Sequence, residues 1–390
     1  MAFAVEVATT VLTVAGIGYF LAALIASRGF VALRRKTMPA FAPGVTILKS
    51  LKGTDPGMLD AFRTHCRQQY AGAYELLFGV STMSDPAVET VRQLQSEFPD
   101  HAIRLMECPQ VLGTNGKVST LAQLVPHAQH AFLLVNDSDI TVSPHYLQRV
   151  MAQFEAPARK SAGQKPVGMV TALYRGRAHG GFAAKLEQLG IATDFMAGVL
   201  LSRKIEGGLH FGLGSTLAVR REALDAIGGF EALADQLADD YELGARIDAA
   251  GFRVELCSEV VETAVPDYGW RGFVDHQLRW LRTVRDSRPG GYFGLIVTHG
   301  FGWALVNLIA SGVSPFSLWL FAMSFFLRLG VAMQVGAVVL GDHDVLANLC
   351  LLPVRDVVAM GLWVAGFASN VIVWRGERFE VKKGRLHKVG

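Results

Sequence analysis

The sequence predicts an α/β domain built on a parallel, doubly wound sheet, with membrane helices at both ends. Three observations predict it. Short apolar runs alternate with helical stretches between Val45 and Asn136 at the spacing of βαβ units. Uncharged apolar stretches occupy both ends of the chain. Hydrophobic residues make up 51% of the 390 residues and charged residues 18%, whereas a soluble domain carries about 25% charged residues. The net charge of +3 is too small to argue for nucleic acid. Cys66, Cys108, Cys257 and Cys350 show no CxxC spacing and no paired framework, which argues against a metal or disulfide scaffold and for a reducing compartment.

Val7 to Ser27 carries no charge. At about 1.5 Å per residue it can cross a hydrocarbon core of about 30 Å. Arg28, Arg34, Arg35 and Lys36 follow, and the positive-inside rule places the next domain in the cytoplasm and the N-terminus outside. Glu6 and the lack of Lys or Arg before the run argue against a cleaved signal peptide.

Val45 to Leu48 reads as a strand, Lys49 to Gly53 as a loop and Pro56 to Tyr70 as a helix. Tyr74 to Val80 is a second strand, Asp85-Pro86 opens a helix, and Ala102 to Leu105 is a third strand. Val118 to His130 is helical and Ala131 to Asn136 is a buried strand. Val167 to Leu173 is a strand followed by a basic loop, Tyr174 to Arg177. Phe182 to Arg203, with Lys185, Glu187 and Asp194, is either a core helix or one lying at the membrane surface. Phe211 to Val219 is a strand of small residues, and Arg220 to Ile227 is a helix. Phe252 to Leu256 and Val260 to Thr263 are short strands. Tyr292 to Gly312, Phe316 to Leu340 and Val357 to Trp374 are candidate spans. Arg328 inside the second must snorkel or pair with an acid. Three spans after the domain would leave the tail outside, yet Arg375, Arg378, Lys382, Lys383 and Arg385 argue for the cytoplasm.

Chemistry concentrates in three places. Asp137-Ser138-Asp139 ends a buried strand, where open α/β sheets bind ligands. Two carboxylates one residue apart suit a hard cation, although Asp-Ser-Asp is also ordinary turn chemistry. Gly228 to Ile247 sets Asp235, Asp239, Asp240 and Glu242 among apolar neighbours. The helix dipole favours some of these acids. Adjacent enclosed carboxylates, however, need a proton, a cation or a substrate to compensate them, and one is read as a catalytic base. On a helix, His276, Arg279, Trp280 and Thr283 share a face that could grip a diphosphate and stack on a ring. Gly113 to Lys117 resembles a phosphate loop but has the wrong glycine spacing, with Val118 after the lysine. Asn115 and Lys117 could still meet a phosphate before a helix N-terminus.

Taken in order, Val45 to Pro56, Asp137-Ser138-Asp139, Leu237 to Gly244 and His276 to Trp280 resemble inverting family 2-like glycosyltransferases of the GT-A fold. More narrowly they resemble the ceramide glucosyltransferase family over nearly the whole chain. Gly228 to Ile247, Leu173 to Gly176, His276 to Thr283 and Leu352-Pro353-Val354-Arg355-Asp356 are similar to a bacterial branch, the hopanoid-biosynthesis glycosyltransferases. His276 stands where the family has Gln or Arg, and Ser81 where many relatives carry an acid, which moves uridine recognition to Asp85.

The resemblance implies a membrane-bound, multi-pass enzyme of a bacterial inner membrane, with residues 1–36 as an N-terminal helix and basic flank. Residues 37–290 would form a cytoplasmic GT-A domain, and 291–390 the C-terminal membrane helices and tail. It implies transfer of one sugar, N-acetylglucosamine favoured, from a UDP-sugar to a hydroxyl of a bacteriohopanepolyol. A ceramide acceptor, a processive polysaccharide synthase and a non-catalytic membrane subunit are the alternatives. Asp240 would be the general base, with Asp239 beside it raising its pKa. Asp139 and Asp137 would hold Mg²⁺ or Mn²⁺. Asp85, Lys117, His276, Arg279 and Trp280 would complete the substrate contacts, and donor choice would rest near Arg175 and Ser215.

Overall fold

The computed structural model describes residues 2–34, 40–155, 165–374, 377–382 and 384–388. Arg35, Lys36, Arg375 and Lys383 of the basic flanks lie outside the described residues. A seven-stranded sheet runs in the order β3-β2-β1-β4-β6-β5-β7. Its strands are β1 (Val45–Leu51), β2 (Tyr74–Val80), β3 (Ile103–Glu107), β4 (Phe132–Val135), β5 (Val167–Ala178), β6 (Leu217–Arg220) and β7 (Arg253–Val265). β1 to β4 pair in parallel, as do β5 and β7. β6 runs antiparallel to both β4 and β5, so the sheet is mixed rather than wholly parallel.

The period-2 alternation of a strand sends successive side chains to opposite faces. Val45, Ile47 and Leu51 pack with Leu76, Phe78 and Leu134 against helices 58–66, 87–97 and 146–155. Leu48, Leu77, Leu133 and Val135 face the other way, toward helix 116–124 and the 182–205 region. Phe20, Ala23, Phe30, Val331, Ala332 and Val335 join this second core, so the apolar terminal helices continue into the α/β unit.

Several elements are longer or shorter than their sequence reads. β1 runs through Lys49 to Leu51, because Lys49 is buried and not in a loop. The basic stretch 174–177 is strand: Glu262 on β7 accepts from Arg175 and Arg177 on β5, so each charge has a partner across the ladder. Residues 253–265 form one strand, with a register shift opposite Thr171 and Leu173. Of 211–219, only Leu217 to Val219 is strand.

Among the described residues, three helices are long and apolar enough to cross a membrane: Phe3–Arg34, Pro289–Ala310 and Pro315–Val339. Gly16 and Gly300 let the first two meet backbone to backbone; a Cβ on Gly16 would lie 2.2 Å from the Gly300 Cα. The third span read from the sequence does not form. Its helix covers Leu352–Ala365, 14 residues, and Val371–Trp374 is β8 of a small sheet with β9 (Glu377–Lys382) and β10 (Arg385–Lys388). That sheet buries Ile372, Phe379, Val381 and Leu386 against Leu237, so the tail packs on the α/β unit.

Candidate functional site

β4 is flanked by β1 on one side and β6 on the other, and its carboxyl end is the crevice where strand order reverses. Asp137-Ser138-Asp139 leaves β4 there. The fully buried Lys49 of β1 donates from Nζ to the Asp137 carbonyl at 2.9 Å. Burial pulls its pKa down to about 7, against the pull of Asp137 and Asp139. Ser138 Oγ donates to Asp55. Asp139 Oδ2 accepts from Thr263 Oγ1 at 2.6 Å and the Ala264 N–H at 2.9 Å, both at the end of β7. Burial and the Asp137 charge together raise the Asp139 pKa.

Helix 239–249 begins on the acids, as its sequence suggests. The Asp240 carboxylate accepts from the Gly214 N–H at 2.9 Å and from the Tyr241 N–H at 2.8 Å. Gly214 separates the two acidic centres: a Cβ there would lie 3.1 Å from Asp240 Oδ2 and 3.6 Å from Asp137 Oδ2. Desolvation by the surrounding protein, then the neighbouring Asp239, pushes the Asp240 pKa up to about 6, with Lys117 opposing. Lys117 Nζ bridges Asp137 at 2.7 Å and Asp239 at 3.5 Å. Desolvation works against its charge, but Asp137 and Asp239 outweigh that and hold its pKa above the ordinary lysine value. Asp137, Asp139, Asp239, Asp240 and Lys117 therefore share one crevice.

Other predicted residues have different surroundings. Asn115 is the N-cap of helix 116–124, accepting from the Val118 N–H, and its amide donates to the Gln236 carbonyl at 2.9 Å. Its side chain is thus engaged in capping the helix and tying it to the 236–239 segment. Asp235 precedes the helix and holds the Thr114 N–H and hydroxyl at 3.0 and 3.2 Å, while Glu242 pairs with Arg246. Asp85 accepts from the Gly53 and Ala87 N–H groups, joining the loops after β1 and β2. Ser215 is buried, and Arg175 donates to Glu262 and to the Leu340 and Gly341 carbonyls, so neither stands as a free donor-selecting side chain.

Helix 270–287 carries His276, Arg279 and Trp280. His276 lies 3.0 Å from the buried Glu187 carboxylate, which also accepts from Tyr268 and Gln277. The His276 and Trp280 rings are 4.7 Å apart, and Trp280, Phe195 and Tyr174 continue as a wall with centroid spacings of 6.3 and 6.0 Å. Burial pushes the Tyr174 phenol well up, and Asp240, Asp137, Glu187 and Asp139 add to it. Tyr174 thus links the acidic crevice to the aromatic wall. Sequence alone assigns Lys49, Tyr174, Glu187 and Phe195 no role in the site; each gains its place through partners distant in the chain.

Asp137 and Asp139 supply hard oxygen donors. No group of three His, Cys, Asp or Glu gathers among the described residues. Two carboxylates fit a cation that takes its other ligands from substrate phosphates and water, the usual habit of Mg²⁺.

A family model, glycosyl transferase family 21, matches residues 8–387. Ceramide glucosyltransferase 3 of Caenorhabditis elegans is 22% identical over 359 residues, covering 88% of this chain and 73% of the relative. Ceramide glucosyltransferase 1 of the same organism is 25% identical over 357 residues, 88% of this chain and 72% of that one. A β-monoglucosyldiacylglycerol synthase of Trichormus variabilis is 27% identical over 222 residues, 57% of this chain and 44% of its own. Among solved structures, a mannosyltransferase from Pyrobaculum calidifontis in complex with GDP-Man and Mn²⁺ superposes with a TM-score of 0.53. It is 18% identical, and the match covers 94% of this chain and 98% of that one. The fold is that of GT-A glycosyltransferases.

Proposed function

The chain belongs to glycosyl transferase family 21 and is a transferase, and from that premise we propose that it moves a single sugar from a UDP-sugar to a hydroxyl of a polycyclic membrane lipid. The observation that carries the reading is the junction at Tyr174. On one side stand Asp240, Asp137 and Asp139; on the other, the wall of Phe195 and Trp280 leads toward helices apolar enough for a bilayer. A polar donor fits the first side and an apolar acceptor body the second.

Asp240 takes the proton of the acceptor hydroxyl as that oxygen attacks the anomeric carbon and UDP leaves. One displacement without a covalent intermediate inverts the centre, so an α-linked donor yields a β-linked product. A divalent cation held by Asp139 and Asp137 would offset charge on the leaving diphosphate. Lys117 and Arg279 bring positive charge to the donor side, and burial, with Asp239 beside it, keeps the Asp240 pKa high enough for a base working near neutrality. Asp85 serves the uridine end. Glu187 holds His276, whose ring packs on Trp280 and orients it.

N-acetylglucosamine as the sugar and a bacteriohopanepolyol as acceptor rest on the branch-specific stretches, Leu352 to Asp356 included. The nematode relatives favour ceramide as the second reading. In this proposal residues 1–36 anchor the protein in a bacterial inner membrane, 37–290 act in the cytoplasm, and 291–390 return to it. Two spans after the domain bring the tail back to the cytoplasmic side, in keeping with Arg378, Lys382 and Arg385 and with its packing on Leu237. The test is expression in membranes with a panel of UDP-sugars and mass spectrometry of the lipid product. A glycosylated hopanoid supports the reading, a glycosylceramide moves it to the second, and a long polymer or a retained anomer overturns it.

A further inference from the structure

Leu352 to Asp356 stands out in the sequence, yet none of its residues enters the chemistry above. It opens the helix 352–365, where Arg355 and Asp356 are buried. The Asp356 carboxylate takes the Arg328 guanidinium side-on, Nε to Oδ2 and Nη2 to Oδ1 both at 2.8 Å. Arg328 lies within the apolar helix Pro315–Val339 and is 3% exposed. Its Nη2 also reaches Asp194 Oδ1 at 2.6 Å and Thr193 Oγ1 at 3.0 Å. Arg355 Nη2 approaches the other Asp194 oxygen at 3.3 Å. The Arg355 guanidinium presses on Gly190, where a Cβ would come within 2.3 Å of Nη2 and 2.5 Å of Nε.

Thr193 and Asp194 belong to a π turn, Ile191–Phe195, that interrupts the helix from Phe182 to Ile205. A π turn shifts the helical register, and such turns are frequent at functional sites. Here it sends Thr193 and Asp194 to the membrane helix, while the next residue, Phe195, fills the wall between Tyr174 and Trp280. Four buried or half-buried charges are a costly way to join apolar helices, which pack without them. What they add is register.

We propose that Asp194, Arg328, Arg355 and Asp356 form a positioning clamp that fixes the π turn and, through Phe195, the shape of the lipid-acceptor wall. The inference rests on reading that wall as the acceptor site. The four are positioning residues, since none touches the reacting atoms.

Two measurements on the full chain in detergent and in proteoliposomes test it. In the first, Asp356→Asn raises the KM for the lipid acceptor by roughly tenfold or more and leaves the KM for the UDP-sugar unchanged. Asp356→Glu restores the acceptor KM. Adding Asp356→Asn to Phe195→Ala makes the acceptor KM no worse than Phe195→Ala alone. Parallel losses for donor and acceptor, or additive losses in the double variant, overturn the clamp. The second needs no substrate: a fluorinated phenylalanine at position 195 is followed by fluorine NMR. Its resonance shifts in Asp356→Asn and in Gly190→Ala, which crowds Arg355, and returns in Asp356→Glu. A resonance indifferent to these changes overturns the clamp whatever the acceptor is. A wild-type protein that glycosylates no lipid, with the resonance moving as stated, fails the functional reading and leaves the clamp standing.

Discussion

The Gly214 N–H donates to Asp240 Oδ2 at 2.9 Å, and on the side where its own side chain would be, Gly214 faces both Asp240 and Asp137. With the Tyr241 N–H on the other oxygen, this backbone donor fixes the rotamer of the proposed base, and one missing methyl keeps the space between two acidic centres open. Removing the base and filling that space are separate experiments with separate outcomes.

Asp240→Asn keeps the shape and removes the base. Transfer is expected to fall roughly 10²- to 10⁴-fold, the usual worth of a positioned acid or base. In the wild-type protein kcat/KM rises with pH and levels off above about 6, the raised pKa of Asp240. Stability runs the other way. Between the ordinary value of 3.8 and about 6, the folded chain holds a proton that the unfolded chain has released. Stability from this group is therefore lost as pH rises through that window, and its ionised form stays unfavourable above it. At pH near 7 the Asn variant should melt no lower than wild type. A pH-rate profile and thermal melts check both halves.

Gly214→Ala puts a methyl 3.1 Å from Asp240 Oδ2. The Gly214 backbone is not left-handed, so the substitution strains no dihedral. The expected result is a loss of activity of roughly tenfold or more with little change in melting temperature. Equal losses of activity and stability would mean that Gly214 serves packing instead.

Asp139→Asn tests the cation. Asp139 is aligned by Thr263 and Ala264, and Asp137 is already paired with Lys117, so loss of Asp139 removes the carboxylate best fixed for a metal. Chelation should silence the wild-type enzyme, with Mg²⁺ or Mn²⁺ restoring it. The variant should need more metal for half-maximal activity. A metal titration reads the difference, and a variant with an unchanged titration refutes this role.

The acids at 137–139 and 239–240 were legible in sequence because each motif is local: a strand end and a helix start announce themselves within a few residues. Lys49 was not. A lysine after Val45-Thr46-Ile47-Leu48 reads as the end of a strand, and its burial is explained by the Asp137 carbonyl across the crevice. Arg175 and Arg177 read as loop for the same reason, since Glu262 lies on another strand. Residues 357–374 read as a span because hydropathy counts apolar residues and not their neighbours. The helix ends at Ala365, the next residue, Gly366, packs closely on Tyr292, and the β-branched Val371, Ile372 and Val373 then pair as an edge strand.

Gly16→Leu probes the membrane bundle. The Cβ alone would overlap the Gly300 backbone, so the helices must separate along their closest contact. A loss of about 1–3 kcal/mol, the common range for overpacking, should appear as a lower melting temperature in detergent. Gly18→Leu is the control, because a Cβ on Gly18 meets nothing within 4 Å.

The C-terminal sheet bears on the same base from the opposite side. The Leu237 N–H donates to the Gly384 carbonyl and the Leu386 N–H to the Asp235 carbonyl, both at 3.0 Å. Leu237 is buried among Ile372, Phe379, Val381 and Leu386. On its other flank the same segment is held by Thr114 and Asn115, at the start of the helix whose Lys117 reaches Asp137 and Asp239. Residues 235–238 are thus pinned from two directions just before Asp239 and Asp240. Ending the chain at residue 370 removes one of those holds, exposes Leu237 and leaves the three candidate spans intact. Membrane insertion should survive while kcat falls, and Leu386→Ala should reproduce the fall at a stability cost of about 2 kcal/mol or more. Membrane fractionation paired with the transfer assay reads both; a truncated protein with full kcat would show that the base segment holds its place without the tail.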